Sequence, residues 1–269
     1  MKTLLIFVVL INSAFAAICS SPKKNDNLCL SAREYITTLG FLRDRKEFGL
    51  NEAEIQKTSD SVSQGCSGAS QRFINITKLL TKLGIDTRSS IKYALKFTAK
   101  SDKETKAFVE IFKNSYNPGY LDLDVLTSLK LSLKLANSPL SNVDNTLSDF
   151  KNLVHFCLNN QSMDLSKPAC AKIATDITLL GQKFNQKLAK PFTKLMFFLQ
   201  DNKSGPKLNR GQALAIAQEV IQYGPLSFEN FKQAFKLSLS KKGLNRSIQK
   251  SLVFAKKIAK RSLKETVKK

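Results

Sequence analysis

The side chains best suited to proton transfer, nucleophilic attack or metal binding in this chain are a single His, five Cys and 21 Asp and Glu. His155 stands between Val154 and Phe156 in an apolar stretch, which predicts a core or groove histidine rather than a catalytic one. Ser-His-Asp catalysis needs a nucleophile beside that His, and no Gly-x-Ser-x-Gly elbow occurs. Two carboxylates have apolar neighbours: Glu110 within Phe108-Val109-Glu110-Ile111-Phe112, and Glu219 within Ala217-Gln218-Glu219-Val220. Burial would raise either pKa and make a general acid, as glycan cleavage requires. Helical periodicity turns both to solvent instead, so no catalytic residue is assigned. A glycan-cleaving enzyme using Glu110 or Glu219 is the alternative reading.

Metal and cofactor chemistry finds no support. There is no Cys-x-x-Cys, and one His is too few for common zinc sites. Asp122-Leu123-Asp124 resembles a fragment of a calcium loop but lacks the remaining ligands, so it reads as a helix cap. No Gly-rich phosphate loop occurs either.

The five cysteines take their meaning from the N-terminus. Met1-Lys2, an apolar run from Thr3 to Phe15 and the close Ala14-Phe15-Ala16 form a signal peptide over residues 1–16. The run is short for a membrane span, so the expectation is an exported chain, periplasmic or extracellular. Cys19, Cys29, Cys66, Cys157 and Cys170 all follow the cleavage point. In an oxidising compartment, sequence proximity favours a Cys157–Cys170 bridge, with Cys66 taking Cys19 or Cys29 and one buried spare thiol.

Charge is the strongest functional signal. The formal net charge is +22, and from Lys232 to Lys269 there are 13 Lys and Arg against one acid, Glu265. From Ile248 to Val267 the apolar positions Ile248, Leu252, Ala255, Ile258, Ala259 and Leu263 alternate with basic ones. This pattern predicts a basic amphipathic helix, within a C-terminal segment 245–269. Its candidate anionic-surface residues are Lys250, Lys256, Lys257, Lys260, Arg261 and Lys264. The partner is an anionic membrane surface, a cell-wall polymer or a protein. Export argues against nucleic acid, as does the use of only eight Arg among 43 basic residues, because Arg reads phosphates and bases bidentately. A membrane-active basic protein is a further alternative.

These side chains are positioned by helices. Apolar residues recur at three- and four-residue spacing after Leu28, with no sustained alternation of the strand kind. Six apolar–Asx pairs punctuate the pattern: Leu50-Asn51, Ile85-Asp86, Leu121-Asp122, Met163-Asp164, Leu208-Asn209 and Leu244-Asn245, spaced 35, 36, 42, 45 and 36 residues apart. Each Asn or Asp is expected to cap a helix, and Gly49, Gly84 and Gly243 to end the helix before it. Phe73, Phe108, Phe150, Phe192 and Phe231 precede five of the pairs by 12 to 16 residues. Ser101 with Glu104 and Ser141 with Asp144 fit capping boxes at partner helices.

Units of 35 to 45 residues made of two helices resemble the α-solenoids of the HEAT and armadillo kind, across residues 28–269. The expected fold is all-α, an array of helical hairpins, with an irregular helical bundle as the alternative. A short linker over 17–27 would lead into a single repeat domain. The resemblance implies a non-catalytic binding or scaffolding protein, because stacked repeats present an extended concave face.

Overall fold

The structure is a computed structural model that describes residues 26–136 and 143–266, with side chains between 31 and 262. The expected signal peptide, Cys19, the side chains of Cys29 and Lys264, and the Ser141 cap lie outside the described residues. Those residues form an all-helical chain without strands. The helices are α1 (Asp26–Arg43), α2 (Glu52–Ser63), α3 (Ala69–Lys82), α4 (Thr87–Leu95), α5 (Asp102–Tyr116) and α6 (Val125–Ala136). They continue as α7 (Val143–Leu158), α8 (Lys167–Phe184), α9 (Ala189–Gln200), α10 (Arg210–Ile221), α11 (Ser227–Leu239) and α12 (Ile248–Thr266). The chain divides into two compact units, 1–106 and 107–269, with the division falling inside α5.

Consecutive helices pack as pairs in both units. In the first unit α1 lies on α2 and α3 on α4, and the hairpins join through α1 against α3. In the second unit α7 pairs with α8, α9 with α10 and α11 with α12. There, α7 packs on α9 and α9 on α11, while α6 packs on α8 and α10 on α12. In the second unit odd helices stack on odd at α7–α9 and α9–α11, and even on even at α6–α8 and α10–α12, which is a layered array of hairpins. Edge-on rings join the odd layer: Phe156 meets Phe192, and Phe198 meets Phe231 and Phe235. The five Phe markers, Phe73, Phe108, Phe150, Phe192 and Phe231, are all fully buried. Burying each ring contributes about 1.5–3 kcal/mol.

The turns repeat a local conformation that the Asx pattern caught only in part. Gly49, Gly84, Asp122, Asp164, Lys207 and Asn245 all have φ between 47° and 81°, in the left-handed region. Two residues after each comes the N-cap position: Asn51, Asp86, Asp124, Ser166, Asn209 and Ser247, of which Ser166 makes no side-chain cap hydrogen bond. Asn51 and Asn209 form complete capping boxes, Asp86 accepts from the Ser89 N–H, and Asp124 from the Thr127 N–H. Asp122, Asp164 and Asn245, expected as caps, therefore end the preceding turn instead. Short Asn and Asp side chains tolerate that backbone better than other non-Gly residues, so one residue type served two positions.

In the second unit the whole loop repeats. Asn117, Asn159, Asp201 and Ser240 each accept a hydrogen bond from the N–H two residues on, at 2.8 to 3.2 Å. The left-handed residue then donates its N–H back to the carbonyl of Asn117, Asn159, Asp201 or Ser240. The second helix of a hairpin grips the preceding loop. Lys167, first in α8, donates to the Pro118 carbonyl at 3.0 Å and to Asp122 at 2.9 Å. Arg210, first in α10, donates to the Asn160 carbonyl at 2.9 Å and lies 4.0 Å from Asp164. Pro118 and Asn160 occupy the same loop position, as do Asp122 and Asp164. Ile248 opens α12, and the clamp stops there.

Counted from each cap, the fourth and eighth residues form the seam of each even helix. They are Ile55 and Ser59, Ser90 and Ala94, Ser128 and Ser132, Cys170 and Ala174, Ala213 and Ala217, and Ser251 and Ala255. All twelve are buried, and eleven are small. Small side chains let paired backbones approach closely, and the seam explains Cys170 as a small-residue substitute. The amphipathic reading of α12 is corrected in the same way. Its buried stripe is Ser251, Ala255, Ala259 and Ser262, while Leu252 and Ile258 are half-buried and Ile248 is exposed.

Enlarging the seam tests its tightness. Ala255→Leu is expected to destabilise by about 1–3 kcal/mol through overpacking, read as a lower urea midpoint at unchanged slope. Lys241→Ala, on an exposed loop, should shift stability by less than about 0.5 kcal/mol. A parent-like midpoint for Ala255→Leu would show a loose seam.

Candidate functional site

Both candidate acids form ion pairs across helices. Glu110, half-buried on α5, accepts from Lys151 at 2.9 Å and has Lys113 at 3.8 Å. Glu219 on α10 accepts from Lys256 of α12 at 2.5 Å. Both carboxylates are thus engaged by ammonium groups of neighbouring helices. His155 is exposed on α7, against the expected core position, because the buried face of that helix falls on Leu153, Val154, Phe156 and Cys157. Among the described residues no group of three or more His, Cys, Asp or Glu is placed to hold a metal.

The expected Cys157–Cys170 bridge is not formed. Both are buried free thiols. Cys170 hydrogen-bonds Cys157 and is desolvated, and both effects push its pKa up, so its thiolate is suppressed. Its Sγ also contacts the Val154 carbonyl at 3.5 Å. Cys66 Sγ lies 3.5 Å from the Ala99 carbonyl; the side chains of its expected partners, Cys19 and Cys29, lie outside those described.

Buried ionisable groups elsewhere close helix ends. Glu34 on α1 accepts from the Gly68 N–H at 2.9 Å and the Ser70 N–H at 2.6 Å, at the start of α3. Arg72 on α3 donates to the carbonyls of Phe97 and Thr98 beyond α4, to those of Cys66 and Ser67, and to Asp102 at 2.7 Å. Asp149 on α7 accepts from the Leu188 N–H at 2.5 Å, at the start of α9. Gly181 permits that approach, since a Cβ there would lie 2.8 Å from the Gln186 carbonyl and 3.3 Å from Asp149 Oδ2. Asn230 on α11 donates to Ser262 of α12 at 2.7 Å. Each of the four directly precedes a repeated aromatic position: Tyr35, Phe73, Phe150 and Phe231. Sequence reasoning marked the aromatic and overlooked its polar neighbour. A recurring polar residue beside a core ring was the signal available. Glu34, Arg72 and Asp149 serve helix ends, which identifies them as structural groups, whereas Asn230 links the side chains of α11 and α12.

The basic surface of α12 is the remaining site. Lys250, Lys257, Lys260 and Arg261 are exposed, whereas Lys256 is half-buried against Glu219. One stripe of this helix lines a groove of ≈ 690 Å³: Arg246, Gln249, Lys250, Val253, Phe254, Lys257, Ile258 and Arg261. Val253 is 69% exposed, and the Arg246 guanidinium lies 5.1 Å from the centre of the Phe254 ring. No acid lines it among the described residues. The structure brings together Lys250, Lys257 and Arg261 of the expected set and adds Arg246. It turns Lys256 away and leaves Lys260 beside the groove.

Comparison with protein-family models, curated proteins and solved structures finds no match.

The acids separate by pH. Burial holds the Asp149 carboxyl above its ordinary value of 3.8, against backbone hydrogen bonds from Leu188 and Ala189 and the nearby Lys187 charge. Its contribution to stability is complete below the ordinary value and declines as pH rises through the raised one. Asp149→Asn removes that decline, so the variant should gain stability relative to the parent from about pH 3 to about pH 7. Asp124 has the opposite sign, since side-chain and backbone hydrogen bonds from Thr127 hold it below the usual range. The parent's advantage over Asp124→Asn should shrink on acidification. Urea midpoints across that range check both, and parallel slopes for the two variants would contradict the assignment.

Proposed function

We propose that this chain is a non-catalytic binding protein that acts after export and engages an anionic partner through its C-terminal helix. The observation that carries the reading is the basic stripe of Arg246, Lys250, Lys257 and Arg261, which has no acid among its described lining residues. Some lysines are neutralised across helices, as Lys151 is by Glu110 and Lys256 of α12 itself by Glu219. A stripe of like charges without acids repels itself, and an anionic partner relieves that repulsion. The +22 charge of the chain adds long-range attraction to the same partners. The engagement of Glu110 and Glu219 by lysines supports binding over glycan hydrolysis. An anionic lipid surface, a cell-wall polymer and an acidic protein all satisfy the electrostatics.

Co-sedimentation with phosphatidylglycerol vesicles, with purified peptidoglycan and with a polyglutamate resin tests the reading at low and high salt. Capture by at least one should occur at low salt and fade at high salt, because screening weakens exposed contacts. The double variant Lys257→Glu, Arg261→Glu should lose that capture while keeping its urea midpoint. Absence of capture by all three at low salt would overturn the reading.

A further inference from the structure

Six buried side-chain oxygens lack a hydrogen-bond partner among the described residues, and five of them are Thr or Ser hydroxyls. The sixth is Oδ1 of Asp149, a carboxylate oxygen on a residue only 2% exposed. Its twin Oδ2 accepts from the Leu188 N–H at 2.5 Å, which fixes the carboxylate against the start of α9. Asp149 lines a narrow recess between α7 and α8, and so does Thr178, whose hydroxyl also lacks a partner and which is 1% exposed. Asn145, Thr146, Gln182 and Gln186 line it as well, and Gly181 leaves room beside Asp149. The described lining residues include no apolar side chain. A buried carboxylate oxygen without a donor is costly, so this recess calls for a positive group.

Ligand type, charge and space select what that group is. The lining side chains offer carboxylate, hydroxyl and amide oxygens, which suit hard cations rather than the thiophilic ones. Asp149 is the one acid among the described lining residues, so a single positive charge balances it. Calcium is usually held by several carboxylates, and magnesium keeps several of its waters. The recess is too narrow for a water molecule, which excludes a bridging water and a hydrated ion alike. Potassium is about as large as water, whereas a bare sodium ion is smaller. Exposed Lys187 attracts the carboxylate from outside the recess and does not line it.

We propose that the recess binds a bare sodium ion, with Asp149 Oδ1 and the Thr178 hydroxyl as its inner ligands. Asn145 of α7 and Gln186 of the turn before α9 supply further oxygens from the lining. Gln182 donates to the Leu135 carbonyl at 2.8 Å and to Thr146 at 3.2 Å, which holds the α8 wall in place. The ion offsets the desolvated charge of Asp149. It also ties α7 to α8 and, through Oδ2, to the start of α9. Its binding therefore reads out as stability of the folded chain.

The test unfolds the full chain in urea at neutral pH, in sodium, potassium and choline chloride of equal ionic strength. The midpoint should be highest in sodium chloride, rise with sodium concentration to a plateau and respond little to potassium. Sodium NMR gives a direct reading, because a bound ion broadens the line. Asp149→Asn and Thr178→Val should lose both the sodium-dependent midpoint shift and the broadening. The gain of Asp149→Asn with rising pH described above belongs to choline chloride. In sodium chloride that gain should shrink, because the ion offsets the carboxylate charge. Equal midpoints in sodium and choline chloride for the parent, with no broadening, overturn the proposal. So do equal responses to sodium and potassium, which would remove the size argument. A sodium response that survives Asp149→Asn also overturns it.

Discussion

Helix ends are the constraint on which this fold depends. Every α-helix leaves four N–H and four C=O groups without partners inside the helix. The described residues form twelve helices joined by short loops and therefore have many such groups close to buried surface. The left-handed residue, spacer and cap at each hairpin turn meet this demand locally. Glu34, Arg72 and Asp149 meet it across hairpins, each bringing a charged group to the helix end of opposite partial charge. Without them, buried N–H and C=O groups at the starts of α3 and α9 and the end of α4 would lack partners. Each such loss costs about 1–3 kcal/mol.

Close pairing follows from the same arrangement. Once the turn sets the register, the fourth and eighth residues of each even helix face its partner, and those positions carry Ser, Ala or Cys almost throughout. The lone Cys170 belongs to this series. Its burial beside Cys157 makes it a packing residue with a suppressed thiolate rather than half of a staple. The odd layer is held differently, by edge-on aromatic contacts that pass from Phe156 to Phe192 and from Phe198 to Phe231. One layer relies on small side chains and the other on large rings.

The repetition changes at α12. Inside the second unit each loop position, seam residue and stacking residue has a counterpart in the next hairpin. At α12 the seam persists, but Ile258 loses the burial that its five counterparts, Val62, Phe97, Leu135, Ile177 and Val220, have, and Ile248 replaces the clamping Lys or Arg. Along the same helix the residues Arg246, Lys250, Lys257 and Arg261 have no acid among the described lining residues, and Val253 beside them is exposed.

The sequence by itself determined the helical class, the hairpin period, the buried aromatic series and the basic C-terminal helix. These are local or periodic properties, readable from spacing and composition. It determined the register of the turns only in part, because Asn and Asp serve both as caps and as left-handed residues. Asp122, Asp164 and Asn245 were thus indistinguishable from Asn51 until backbone angles were known. Tertiary structure alone decided which carboxylates are neutralised. The partners Lys151 and Lys256 lie 41 and 37 residues from their acids. It also decided that His155 faces solvent, that Cys157 and Cys170 remain thiols, and which stripe of α12 is buried. A helical wheel places Leu252 and Ile258 inward by hydrophobicity. Close backbone packing against α11 instead selects Ser251, Ala255 and Ala259, because only small side chains fit the distance between the two helices.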